Sequence, residues 1–279
     1  MQKVDVSKAY RELLDDFIDF SAGLAEADWK RPTLFPSWTV GDIYAHVASG
    51  AIRKLSDIRK KERSRVGQAI GMDFDTLVSF INADNERWVE TLRPLDMSLV
   101  IDMLGRYYGE LIDALESMDP DAEAVHQVAW AHDSVSPAWL DTAREYTELW
   151  THQMQIREVF GDASPLEPRF YRPFLETCLA ALPTHFGRLR EPDDFGLLLR
   201  VGDDMAWFIT RKDGIVSWRE AAIADSAVTE PSVVDIRRED AWKAWMRAID
   251  PKEAARRATL GGDRRPGLHL LGMKCVMML

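Results

Sequence analysis

The sequence predicts an α+β protein, and three observations carry that prediction. Over roughly the first 160 residues, apolar side chains recur at helical spacing. After about residue 190 the period shortens to runs of β-forming residues, and a proline-rich stretch separates the two regimes. At 279 residues the chain is also long for one core, which favours two domains. The expected division is a helical domain over 1–162, a linker over 163–173 and a smaller α+β domain over 174–279.

The first helix is carried by Ala9, Leu13, Leu14, Phe17, Ile18 and Phe20, and Gly23 loosens its end. PTLFPSWT is a loop. Thr39 then suits an N-cap, with Asp42 placing a carboxylate in the first turn of a helix through Ile43, His46, Val47 and Ile52. That helix turns basic at RKLSDIRKKERSR, which reads as a solvated helix end favoured by the dipole. Helices follow over Asp73–Leu92 and Met97–Met118, then a loop over 119–136 and a last helix from Pro137 to Phe160. Proline suits its first turn and Gly161 its exit. Amphipathic helices joined in this way fit an up-and-down bundle.

Gly161–Pro173, with three prolines, marks the linker, and a helix over Phe174–Arg188 comes next. FGLLLRV, MAWFIT and GIVSWRE read as an antiparallel meander, with GDD and RKDG as turns. EDAWKAWMRAI and PKEAARRA are short helices expected on one face of that sheet.

Composition narrows the function. A net charge of −11 argues against nucleic acid as a partner, because phosphate binding needs a basic surface. Two cysteines in apolar settings, Cys178 and Cys275, make no disulfide framework and suit a reducing compartment. No run approaches the roughly 18–20 apolar residues that span a bilayer, and the N-terminus has no signal core. The expectation is a soluble, cytoplasmic protein with no membrane partner; composition leaves its oligomeric state open.

The sharpest local feature is Glu148 and His152, four residues apart and so on one helix face. His46 lies about a hundred residues upstream on another helix. Two imidazoles and a carboxylate suit zinc or a similar divalent ion, and three protein ligands leave a coordination position open. Taken singly, the pair also reads as a local hydrogen bond, and His46 as a core histidine. Jointly they favour a metal, since burying a carboxylate is costly unless it is paired or metal-bound.

LFPSWTVGDIYAHVASG resembles the W-T-V-x-D-x-x-x-H segment of the mycothiol-dependent maleylpyruvate isomerase family, a branch of the DinB-like metalloenzymes. REYTELWTHQMQIREVFG resembles the same family's E-x-x-x-H-x-x-x-x-R motif. The likeness is strong over residues 30–50 and 137–161 and loose after 190. It implies an N-terminal four-helix bundle and a C-terminal α/β domain resembling sterol-carrier-like modules. It also implies that His46, Glu148 and His152 bind a divalent metal, usually zinc. Many relatives carry Asp two residues before the motif's arginine; Gln155 stands there in this chain, which puts the tuning of the site in question. Arg157 remains, either to anchor a carboxylate or phosphate or as an exposed helix-end arginine.

Neither cysteine sits in these motifs, so the resemblance implies an exogenous low-molecular-weight thiol as nucleophile. The expected activity is that of a metal-dependent transferase or isomerase. The metal-activated thiolate would attack a small electrophile, unsaturated or carboxylated. A metal-dependent hydrolase is one alternative. A non-catalytic protein holding an apolar ligand near GLHLLGMKCVMML is another, although a buried terminal strand explains that segment equally well. His126 and His132 either line the cleft or face solvent. Trp38 and Trp150 read as packing, and Arg219 as a surface strand arginine that relatives' second domains sometimes use on the ligand. Gly261 and Gly262 make no phosphate loop, lacking both the lysine and the strand before it.

Overall fold

Apolar stripes on successive segments can be buried only against one another, and that sets the first half of the fold. The computed structural model describes residues 2–35, 37–60, 74–128, 130–131, 135–189, 194–222, 232–273 and 275. It is α+β. One compact unit comprises Asp5–Gln127 and Val135–Pro173, with Leu279; the other comprises Met1–Val4, Val128–Ser134 and Phe174–Met278. Among the described residues, no helix is long and apolar enough to cross a membrane.

In the helical unit, α1 spans Ser7–Ser21, α2 Val40–Lys60, α3 Phe74–Leu92, α4 Met97–Glu116 and α5 Ala138–Glu158. Helix α2 packs along α4 and α3, α1 lies along α4, and α5 touches α1, α2 and α4. The start of α2 is a reciprocal capping box. The Thr39 backbone N–H donates to Asp42 Oδ2 at 3.0 Å, and the Asp42 backbone N–H donates to Thr39 Oγ1 at 3.3 Å. Arg93 Nε donates to the other Asp42 oxygen at 2.9 Å, so the cap is tied to the end of α3.

Helix α5 is buried on nearly every side. Tyr146, Leu149, Trp150 and Ile156 are enclosed, and so are the polar Asp141, Thr147, Gln153 and Arg157. A helix in that position needs a partner for each charge. Lys54 supplies the main one: its Nζ lies 2.5 Å from Asp141 Oδ1 and 3.2 Å from Glu145 Oε1. This corrects the reading of the basic run as a solvated helix end. The Lys54 side chain is only 5% exposed, and its neighbour Arg53 pairs with Asp84 at 2.7 Å. Residues 61–65 of that run lie outside the described residues.

The segment expected to be a linker is more ordered than its prolines suggested. A 3-10 turn covers Ser164–Leu166, and α6 runs from Pro168 to Leu179 with Pro173 inside it. The expected helix over 174–188 is two elements, α6 and the short α7, Leu182–Gly187.

The second unit holds β1 (Phe195–Val201), β2 (Met205–Lys212), β3 (Ile215–Glu220), β4 (Ser232–Ile236) and β5 (Thr259–Gly261), in the order β3-β2-β1-β4-β5. The first three form the expected antiparallel meander, with Leu199 opposite Trp207 and Ile209 opposite Trp218. The sheet as a whole is mixed, because β4 pairs parallel to β1 with Leu199 opposite Val234. SVVDI is too short to announce itself beside the longer runs, and its partners β1 and β5 make it a strand. Helices α8 (Arg238–Trp245) and α9 (Pro251–Arg257) follow. The start of the apolar terminal segment lies in helix α10 (Arg264–Leu271), packed on β1 and β4, and residues 274 and 276–279 lie outside the described residues. Gly267 lets it approach: a Cβ there would meet Val234 Cγ2 at 2.8 Å.

Removing Lys54 would leave Asp141 and Glu145 under-compensated. Lys54→Met is expected to destabilise the helical unit by on the order of 3 kcal/mol in urea unfolding. Burial alone would raise the Asp141 carboxyl, but Lys54, Arg144 and His126 hold it at about 2. Its folded value lies below its unfolded one, so its contribution is present above about pH 4 and is lost as pH falls toward 2. Wild-type stability should therefore fall across that window, and more steeply than that of Lys54→Met. Equal slopes would count against the pair.

Candidate metal centre

Three side chains from two helices meet in the helical unit. His46 lies in the second turn of α2, and Glu148 and His152 lie one turn apart on α5. One ligand atom from each falls within 4.8 Å of the others. His152 Nε2 is 3.4 Å from Glu148 Oε2, and the His46 and His152 rings meet edge to face with centroids 4.5 Å apart. Both histidines are 9% exposed, while the Glu148 side chain is 30% exposed. The cluster is therefore walled by its imidazoles and reachable past its carboxylate.

Neighbours fix the rings. Gln155 Oε1 lies 2.9 Å from His152 Nδ1, one turn further along α5. That contact fixes the ring, with Nε2 turned toward Glu148. The Trp38 indole lies against His46, centroids 4.8 Å apart, and donates through Nε1 to Glu86 Oε2 at 2.9 Å. His46 Nδ1 is buried with no hydrogen-bond partner. A buried imidazole nitrogen without a hydrogen-bond partner, beside a second imidazole and a carboxylate, fits a divalent cation with mixed nitrogen and oxygen ligands.

The electrostatics agree with ligand-ready forms. Burial, and then the neighbouring His152, push the His46 imidazole well below its usual value. Burial would raise the Glu148 carboxyl, but the hydrogen bond from His152 and the nearby Arg144 hold it at about 2. A neutral imidazole and an ionised carboxylate are the forms that bind a metal.

The other residues singled out from the sequence lie apart from this cluster. Arg157 is not an exposed helix-end arginine; its side chain is 3% exposed and ion-paired to Asp16 and Asp162. Its Nε also donates to Gln153 Oε1 at 3.1 Å. His126 pairs with Asp57 through Nε2 at 2.9 Å. His132 lies outside the described residues. Trp150 is a packing residue, stacked on Tyr171 at 5.0 Å and donating to the Pro165 carbonyl oxygen at 2.9 Å. Arg219, in the sheet unit, lies over the Phe208 ring with its Cζ 5.3 Å from the centroid. Cys178 and Cys275 are free and buried. Sequence reasoning missed Arg144, whose Nη1 lies 3.6 Å from Glu148 Oε1. Its position four residues before Glu148 was the available signal.

Fold and cluster together give an α+β protein whose helical unit brings together a His–Glu–His group that could hold a metal ion. The family described as the mycothiol maleylpyruvate isomerase N-terminal domain has a model that matches residues 10–157. That is more than half of the chain, and the chain belongs to this family. Two solved structures are similar to it. One is a crystal structure of the mycothiol-dependent maleylpyruvate isomerase, 15% identical, with a TM-score of 0.46, covering 86% of this chain and 85% of that one. The other is a crystal structure of a histidine-to-alanine mutant of that isomerase, 12% identical, with a TM-score of 0.49, covering 91% of this chain and 90% of that one. No curated protein matches the chain.

In metal-free protein, the His46 ring protons should show no titration between pH 5 and 8 by NMR. An unfolded histidine takes up its proton near 6.5, so stability falls as pH drops below that value. A His46 resonance titrating near 6.5 would contradict its burial.

Proposed function

We propose that this protein is a metal-dependent transferase or isomerase that uses a low-molecular-weight thiol, of the mycothiol kind, on a small electrophilic and carboxylated substrate. The observation that carries the proposal is the convergence of His46, Glu148 and His152, in a chain of a mycothiol isomerase family. The proposed ion is zinc. Three protein ligands leave room for one exogenous ligand. When bound, such an ion lowers the proton affinity of a thiol or water in that position.

The chain's own residues do the rest. His46 and Glu148 present a neutral nitrogen and an anionic oxygen without first losing a proton. Gln155 holds the His152 ring with Nε2 toward Glu148. Trp38, anchored by Glu86, closes the His46 side against water, and the opening beside Glu148 is where thiol and electrophile would enter. Arg157 was expected to anchor an anionic substrate. Its guanidinium is held by Asp16 and Asp162, and the proposal gives it the task of fixing the end of α5.

Within the same reading, the helical unit is a DinB-like four-helix bundle and the second unit a sterol-carrier-like module. The domains are 1–162 and 174–279, and the setting is the cytoplasm. Two free, buried cysteines suit that setting.

Elemental analysis of untagged protein should find about one divalent metal per chain, lost in His46→Ala and in His152→Ala. Metal content unchanged in both variants would reject the ligand set. Turnover of an electrophile only with added thiol supports the transferase or isomerase reading, and turnover without thiol would replace it with hydrolysis.

A further inference from the structure

Glu148 offers two oxygens, and each is engaged differently. Oε2 is turned to His152, whereas Oε1 faces Arg144 Nη1 at 3.6 Å. Arg144 is itself held. Its Nη2 is 3.1 Å from Asp141 Oδ1, its Nε is 3.3 Å from the same oxygen, and it also pairs with Glu145. Those two carboxylates are in turn fixed by Lys54, which reaches across from α2 two turns beyond His46. The ion-pair chain therefore begins on the helix of one candidate ligand and ends on the carboxylate of another. It contains two cations and three carboxylates, Glu148 included.

We propose that Arg144, locked by Asp141 and Glu145 through Lys54, is a positioning residue that occupies Glu148 Oε1 and so restricts Glu148 to binding a metal through Oε2 alone. The inference rests on the metal reading above. A monodentate carboxylate with two imidazoles keeps the coordination number low and the remaining position free. A carboxylate released from Arg144 can swing and bind through both oxygens, filling that position. Arginine suits the task because its fork grips the Asp141–Glu145 pair with one edge while another nitrogen faces Glu148. A lysine, with one nitrogen, cannot do both.

Cobalt(II) is the probe, because its visible absorption weakens as coordination rises above four. Metal-free wild type, Arg144→Gln and Arg144→Lys are titrated with cobalt(II) against a competing chelator, with circular dichroism to establish folding. The expected result is a 10- to 100-fold loss of affinity in the variants together with a weaker visible band. Arg144→Lys keeps a positive charge beside Asp141 and guards against a variant that merely fails to fold. A residue with only a structural role would change stability but not the spectrum of folded protein. Folded variants with wild-type affinity and spectrum overturn this inference alone. A wild type that takes up no cobalt overturns the metal reading as well.

Discussion

The need to compensate charge inside a helix that is buried on nearly all sides governs the helical unit. Asp141 and Glu145 are acceptable on α5 because Lys54 reaches them from α2, with an Nζ–Oδ1 distance of 2.5 Å to Asp141. That contact fixes the register of the two helices. His46 sits two turns up α2 from Lys54, and Glu148 and His152 sit one to three turns along α5 from Asp141 and Glu145. The ion pair and the candidate ligands are thus parts of one seam. A slip of either helix would break the first and scatter the second.

A buried ion pair is weak evidence of stability in itself, since desolvation consumes much of the attraction. Its value here is geometric. An apolar pair of similar size would pack α2 against α5 but would neither order Arg144 nor set the direction of Glu148. The same logic applies at the other end of α5, where Arg157 is held by Asp16 from α1 and by Asp162. Both ends of the central helix are pinned by charges, and the cluster lies between the pins. Family membership and the orphaned His46 nitrogen are what the proposed metal reading of this seam rests on.

Much of the site was legible because it is local in sequence. The i,i+4 spacing of Glu148 and His152 follows from helical periodicity alone, and the Thr39–Asp42 box from capping chemistry. Gln155 could be read as a departure from a motif, but only the fold shows its oxygen 2.9 Å from His152 Nδ1. Lys54 was misread, because a lysine in a basic run is ordinarily solvated and nothing nearby in sequence reveals a carboxylate 87 positions away. Arg157 was misread in the same way, as Asp16 is 141 positions distant. In the second unit, β4 is a strand by virtue of β1 and β5, and Gly267 lets α10 pack close against Val234.

By itself, then, the sequence determined the fold class, the helix that carries Glu148 and His152, and the residue types able to hold a divalent ion. All of these follow from periodicities and spacings within a few turns of chain. Family resemblance grouped His46 with that pair and the tertiary structure shows the three meeting, whereas tertiary structure alone decided that Lys54 is buried. It also decided that Arg144 faces one oxygen of Glu148 and that Arg157 is consumed by structural carboxylates. The reason is electrostatic: whether a charged side chain is solvated, paired or free to bind a ligand depends on which distant segment lies opposite it, and periodicity carries no information about that.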